Sequence, residues 1–317
     1  MVKFMISFYE IKNYIKRKLL IFGIKINHIS KDKIQKRINE FNEIGVTGGK
    51  RNPRLIVSIT SFPQRIPDIH FALYSLLNQT LKPDEVVLWL GDKEFLNKED
   101  DLPHSVLSLK NNGLTIRWCK DIGPYTKLIP ALQECPDDII VTADDDIYYP
   151  RNWLGLLYNA YLKEPQYIHC HRAHRITFDE NKNVKKYLEW IMGASKVEPS
   201  FCNFLTGVGG VLFPPGALYK DVLDDGLFLK LSPTADDIWF WAMAVLNHTR
   251  INVIKNNIAA LLYTNTEREF GLNAEKTLAQ KNRIGGGNDK QLKNIFNHYP
   301  NLQNTFDCHH SNGNHQF

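Results

Sequence analysis

Four short runs of apolar, β-branched residues separated by stretches with helical spacing constrain this fold more than any other feature. They are residues 55–60 (LIVSIT), 85–90 (EVVLWL), 114–119 (LTIRWC) and 138–142 (DIIVT). Runs of this length bounded by turn residues read as buried strands. Between the first two, Ile69, Ala72, Leu73, Leu76 and Leu77 recur at helical spacing. Asp68 is expected to cap that helix, which runs to Asn78. A second helical segment is expected over 126–135. Alternation at this pitch predicts an α/β fold with a mostly parallel sheet and helices on both faces. In such sheets, ligands bind beyond the carboxyl ends of the strands.

Further along, residues 153–163 read as a helix and 166–171 as a strand. Residues 206–210 (TGVGG) form a glycine loop entering an apolar strand, and 235–247 read as a helix. A flexible turn is expected at 285–289, a last helix at 290–296, and a polar, mobile tail over 301–317. Residues 1–50 stand apart as an N-terminal helical extension, with one domain expected over 51–300. Within the extension, 12–20 (KNYIKRKLL) mix basic and apolar side chains. That segment reads either as an amphipathic helix on an anionic membrane surface or as a helix packed on the main domain.

Composition narrows the class. Of 317 residues, 43% are hydrophobic and 23% charged, as in soluble globular proteins. The net charge of +5 is spread along the chain, which argues against a nucleic-acid partner. The apolar run at 19–24 is closed by Lys18 and Lys25, too short to span a membrane, and no small-residue cleavage site follows it. Five cysteines without a C-x-x-C pair predict free thiols in a reducing cytosol.

Two acid-rich stretches carry the chemistry. Asp144, Asp145 and Asp146 follow the fourth strand, where D-x-D offers hard oxygens to Mg²⁺ or Mn²⁺. If the chain stays extended, Asp144 and Asp146 face one side and Asp145 the other. Asp236 and Asp237 open a helix, where acids favourably charge the first turn. The stretch 169–174 (HCHRAH) lacks the spacing of a tetrahedral zinc site and reads as a strand with polar residues on a site-facing side. Asn288 and Asp289 read as the cap of the last helix.

The stretches 58–66 (SITSFPQRI), 75–86 (SLLNQTLKPDEV), 143–146 (ADDD), 206–210 (TGVGG) and 235–239 (ADDIW) resemble the GT-A glycosyltransferases. The likeness is strongest to family-2-like enzymes of bacterial surface-polysaccharide biosynthesis, and it runs in order over residues 54 to about 300. The S-L-x-x-Q-T-x-x-P-D pattern is fairly specific; D-x-D alone is not. The resemblance implies a GT-A (Rossmann-like) fold with a nucleotide-sugar donor, a UDP-sugar first, held across the first four strands. Thr60, Ser61, Pro63 and Arg65 would touch the nucleoside, although Arg65 reads equally as a surface ion pair. Lys127, beginning a helix at a strand end, would face the diphosphate or the base; the alternative is a solvated lysine.

Asp144 and Asp146 map onto the metal motif for Mn²⁺ or Mg²⁺, with Asp145 on the ribose or sugar. An acid at 237, or else 236, would be the general base of an inverting transfer. Gly207, Gly209 and Gly210 would let the backbone approach a sugar, and Arg172 and His174 would contact diphosphate or acceptor. His298 or a tail histidine (His309, His310, His315) would complete the metal site. The acceptor would be a saccharide or lipid-linked. The place would be cytoplasmic, peripheral on the inner face of the membrane through residues 1–50. The competing readings are a sugar nucleotidyltransferase and a non-catalytic nucleotide- or carbohydrate-binding relative. The glycine- and basic-rich signature of the former is absent from the first strand's loop.

Overall fold

The computed structural model describes residues 26–28, 30–48, 51–195, 197–258, 261–270 and 278–306. The basic segment 12–20 and the tail histidines lie outside them. The strands are β1 (Ile26–His28), β2 (Leu55–Thr60), β3 (Glu85–Gly91), β4 (Leu114–Cys119), β5 (Ile139–Ala143) and β6 (Ile168–Cys170). They continue with β7 (Ala173–Arg175), β8 (Ile191–Ala194), β9 (Asn203–Leu205), β10 (Val211–Phe213), β11 (Ile251–Val253) and β12 (Leu261–Tyr263).

Seven strands form the central sheet in the order β11-β6-β10-β5-β2-β3-β4. The pairs β5/β2, β2/β3, β3/β4 and β11/β6 are parallel, and β10 runs antiparallel between β5 and β6. Both faces are buried, which is why the strands read as continuous apolar runs. Successive side chains of β2 point to opposite layers. Leu55, Val57 and Ile59 pack with Ile69, Leu73 and Leu77 of the Ile66–Leu77 helix and with Trp153, Leu154 and Leu157 of the Trp153–Lys163 helix. Ile56 faces the other way, into the layer that holds Trp89, Tyr125 and the Asp236–Leu246 helix with Ile238, Trp239 and Trp241. This is the mostly parallel, Rossmann-like α/β architecture expected.

A three-stranded antiparallel sheet, β8-β7-β9, and a parallel pair, β1-β12, complete the strands. The Lys31–Asn39 helix sets Ile34 against Phe71 and Tyr74 of the Ile66–Leu77 helix. The Pro300–Thr305 turn buries Leu302, and Phe306 follows it into the core. Among the described residues, no helix is long and apolar enough to cross a membrane.

Several local expectations are corrected. Asp68 does not cap its helix. Pro67 presets the first turn, so the helix begins at Ile66, and the Asp68 carboxylate instead takes Lys31 and Asn265, each at 2.8 Å. Lys127 does not begin a helix. It closes the 3₁₀ turn Gly123–Lys127, and Pro130 starts the separate Ile129–Glu134 helix. The last helix spans Gly287–His298, entered through Gly286 at φ +73, so part of the expected flexible turn is helical. Asp289 accepts the Tyr187 amide at 2.7 Å rather than capping. Cys119, Cys135 and Cys170 are free, but Cys202 is disulfide-bonded, against the expectation of thiols alone. Spacing along a chain does not limit pairing in space.

Candidate active site

The carboxyl ends of β2 and β5 meet at a cluster of acids and two buried cations. Strand β5 stops at Ala143, and the chain then turns sharply. The Tyr149 hydroxyl accepts the Asp144 amide at 2.8 Å, and the Thr264 amide donates to the Asp146 carbonyl at 2.8 Å. The turn breaks the alternation expected of an extended chain: Asp145 and Asp146 share one cation, and Asp144 meets another. Arg65 Nη1 lies 2.7 Å from Asp145 and 2.8 Å from Asp146. Ser61 donates to Asp145 at 2.6 Å. Arg65 is thus no surface ion pair, and its side chain is only 16% exposed. Its other nitrogen meets Glu269 at 3.0 Å. Glu269 was invisible to sequence reasoning, since a lone glutamate in the Thr266–Phe270 helix carries no motif.

Lys127 joins the two acid stretches. Its ammonium lies 3.0 Å from Asp144 and 3.1 Å from Asp236. Asp236 is buried, whereas Asp237 is half-buried. The Gly207 amide donates to Asp237 Oδ1 at 2.9 Å. A Cβ at Gly207 would stand 2.6 Å from the Lys127 ammonium and 3.1 Å from Asp237, so any side chain there would push the lysine aside.

The charges here are strained. Burial, only partly offset by Arg65, pushes Asp146 up to about 7. Burial, then the neighbouring Asp236, pushes Asp237 up to about 7 as well. Asp236 also rises through burial. Burial alone would lower Lys127, but Asp144, Asp236 and Asp237 overcome it and hold the lysine charged. Acids outnumber bases in this cluster, and carboxylates raised by burial and by one another at strand ends make it a candidate functional site.

The other expected residues divide. Thr60 spends its hydroxyl on the Trp89 carbonyl at 2.9 Å. Pro63 is exposed and lines a cleft of about 320 Å³ together with Ile66, Glu94, Phe95, Leu96, Asn97 and Asp101. Gly209 and Gly210 pack on Trp153: the indole N–H donates to the Gly209 carbonyl at 2.6 Å, and a Cβ at Gly210 would lie 2.5 Å from the ring. Arg172 is buried and donates to Thr206 at 3.1 Å, one residue from Gly207. His174 is fully buried beside Phe204 and Tyr187. His169 and His171 do not face the site. They bond the Glu164 and Trp153 carbonyls at 2.9 and 3.1 Å, and burial drops both to about 4. His298 is exposed against Tyr299 and is not brought to the acids.

Among the described residues, no three His, Cys, Asp or Glu side chains form a ready metal cage. The donor chemistry nonetheless suits a hard dication. All the donors are carboxylate oxygens, and Asp146 is raised because its charge is under-compensated. Mg²⁺-like ions take one or two protein carboxylates and complete their shell with substrate phosphates.

No family model matches this sequence, and no curated protein matches it. Solved structures do superpose in part. S. aureus TarS (residues 1–349) is 16% identical, with 78% of this chain and 73% of TarS covered, at a TM-score of 0.45. Mannosyltransferase PcManGT from Pyrobaculum calidifontis, in complex with GDP-Man and Mn²⁺, is 17% identical with a TM-score of 0.42. That match covers 80% of this chain, and the chain spans 66% of the mannosyltransferase's own length. CMP-2-keto-3-deoxy-manno-octonic acid synthetase complexed with CTP is 13% identical over 65% of this chain and 90% of its own, at a TM-score of 0.39. These are likenesses of chain trace, at identities too low to carry residue roles across.

Proposed function

We infer that this chain is a glycosyltransferase that moves a sugar from a nucleotide-diphosphate donor to a hydroxyl of a saccharide or lipid-linked acceptor. The observation that carries the reading is Lys127. It ties Asp144, on the donor side, to Asp236, on the base side, at the carboxyl ends of parallel strands.

In this reading Asp237 is the general base. It is half-buried, oriented by the Gly207 amide, and raised to about 7, near the optimum for proton abstraction. The acceptor hydroxyl loses its proton to Asp237 as its oxygen bonds the anomeric carbon. The bond from that carbon to the diphosphate oxygen breaks on the opposite face, so the centre inverts and the nucleoside diphosphate leaves with the electron pair. Asp144 and Asp146 would hold a Mn²⁺ or Mg²⁺ ion, which would supply positive charge to the departing diphosphate. Arg65 holds Asp145 and Asp146 in place, and Lys127 pairs with Asp236 and adds a cation beside the leaving group. Ser61 and Pro63 border the nucleoside, with a UDP-sugar as the first donor class, and Gly207 lets the sugar approach. The protein acts at the cytoplasmic face, with peripheral membrane contact through its basic first residues.

The test is nucleotide-sugar binding and turnover with and without Mn²⁺. Donor binding should need the metal and weaken in Asp146→Asn. Release of nucleoside diphosphate from the nucleotide sugar supports the reading; release of pyrophosphate from a nucleoside triphosphate incubated with a sugar 1-phosphate instead points to a nucleotidyltransferase. Binding without any turnover across a donor and acceptor panel points to a non-catalytic relative.

A further inference from the structure

A ladder of alternating charges runs from the Lys31–Asn39 helix to the acids after β5. Lys31 meets Asp68 at 2.8 Å, Asp68 meets Arg268 at 3.4 Å, and Arg268 Nε meets Glu269 at 3.0 Å. Glu269 then meets Arg65 Nη2 at 3.0 Å. Arg65 Nη1 lies 2.8 Å from Asp146 Oδ2 and 2.7 Å from Asp145 Oδ1. One guanidinium thus holds carboxylates from two elements: Glu269 of the Thr266–Phe270 helix and the aspartates of the turn after β5. Burial deepens inward, since the Lys31 side chain is 41% exposed and that of Glu269 only 8%.

The segment that carries Glu269 is stitched to the same acid turn. Ile147 and Tyr263 form an antiparallel bridge, and the Thr264 amide donates to the Asp146 carbonyl at 2.8 Å. Asn265 donates to Asp68 at 2.8 Å and accepts the Arg268 amide at 3.1 Å. The main chain of Asp146 and the second partner of Arg65 are therefore set by one short stretch of chain.

The consequence falls on Asp146. A carboxylate oxygen that accepts a guanidinium N–H offers less to a dication, and two cations on one carboxylate repel each other. Asp145 offers no way round, because Ser61 takes one of its oxygens at 2.6 Å and Arg65 the other at 2.7 Å. A buried guanidinium that gives up one partner is costly unless another carboxylate compensates it. Glu269 is that carboxylate, and it sits on the nitrogen that Asp145 and Asp146 do not use.

We propose that Glu269 is a positioning residue for metal binding: by holding the second nitrogen of Arg65 it loosens the guanidinium's grip on Asp146 and so raises the affinity of that carboxylate for a dication. Glu269 acts through Arg65 and touches neither donor nor metal. The dication rests on the transferase reading; the ion-pair ladder does not.

The test is titration of the full chain with Mn²⁺, alone and with UDP present, reading free manganese by electron paramagnetic resonance. Glu269→Gln keeps the shape and removes the charge, and it should weaken Mn²⁺ binding by about tenfold or more. Glu269→Asp should recover part of that loss, and it is the second variant if circular dichroism shows Glu269→Gln unfolded. In an Arg65→Lys background the Glu269→Gln change should cost clearly less, because a single ammonium cannot hold both ends as the planar fork does. Unchanged Mn²⁺ affinity in Glu269→Gln overturns the proposal. So does an equal loss in both backgrounds, which would mean that Glu269 acts independently of Arg65. No Mn²⁺ binding by the unmutated chain overturns the proposal together with the metal of the transferase reading. Glu269-dependent Mn²⁺ binding without release of nucleoside diphosphate from any nucleotide sugar supports the proposal and sinks the transferase reading alone.

Discussion

Gly207 and Asp237 meet through a single backbone bond: the glycine amide donates to the aspartate Oδ1 at 2.9 Å. That bond fixes the less buried acid of the Asp236–Asp237 pair. Its neighbour Lys127 leaves no room for a side chain at 207.

Gly207→Ala should therefore displace the Lys127 ammonium from Asp144 and Asp236. Because the displaced atom ends a flexible side chain, the fold should survive. Turnover should fall by about 10²-fold, the usual cost of ångström-scale misplacement at a reacting centre. Steady-state kinetics with a thermal melt in parallel checks both halves; unchanged turnover would remove Gly207 from the machinery.

Asp237→Asn should lower turnover by roughly 10²–10⁴-fold while leaving donor binding near normal, as expected for loss of a general base. In the unmutated protein, kcat/KM should fall with decreasing pH below about 7, since the base must be deprotonated. Asp236→Asn should not reproduce that loss of the acidic limb. A pH–rate profile of the three proteins decides it.

Asp146 and Asp237 also predict an unusual pH dependence of stability. Both are raised to about 7 in the folded chain, against about 3.9 when unfolded. Between those values the native state binds more protons than the unfolded state. The contribution of these two acids therefore falls as pH rises from about 4 through about 7, whereas His169 and His171, dropped by burial to about 4, and His174, also lowered by burial, contribute a rise up to about 6.5. Asp68 and Asp84, whose pKa values are lowered, also work against the raised acids, but only below the ordinary carboxylate range. Denaturant melts at pH 5, 6, 7 and 8 without added metal isolate the acids when the unmutated chain is compared with the Asp146→Asn/Asp237→Asn double variant: the stability of the former relative to the latter should decline as pH rises, and a constant difference would contradict the raised acids.

Arg65→Met should destabilise the fold by about 3–5 kcal/mol, because it removes the cation that pairs the buried carboxylates of Asp145 and Asp146, while Glu269 keeps Arg268 at 3.0 Å. Arg65→Met combined with Asp145→Asn should recover part of that loss. A double-mutant cycle by chemical denaturation measures it.

Gly210→Ala should cost about 2–4 kcal/mol, since the added carbon meets the Trp153 ring at 2.5–2.8 Å and the backbone sits at φ +95. Near-native stability of this variant would show that the loop can move away from the indole.

Much of the architecture was legible in the chain. The β-branched runs at 55–60, 85–90 and 114–119 became parallel neighbours because only a doubly covered sheet buries both faces of such runs. The acids at 144–146 announced themselves as carboxylates after an apolar run, those at 236–237 as acids opening an apolar helix, and Gly207, Gly209 and Gly210 as a loop with few side chains. Sequence alone could not choose the partners. Arg65 read equally well as solvated, and only the approach of the β2 and β5 loops buried it between Asp145 and Asp146. Glu269, Arg283 and Tyr187 lie far along the chain from the residues they meet and carry no local pattern. Local pattern fixes which groups a segment offers, since it depends on neighbours in the chain; tertiary packing decides which charges share a dry volume, and that alone sets their pKa values and pairings.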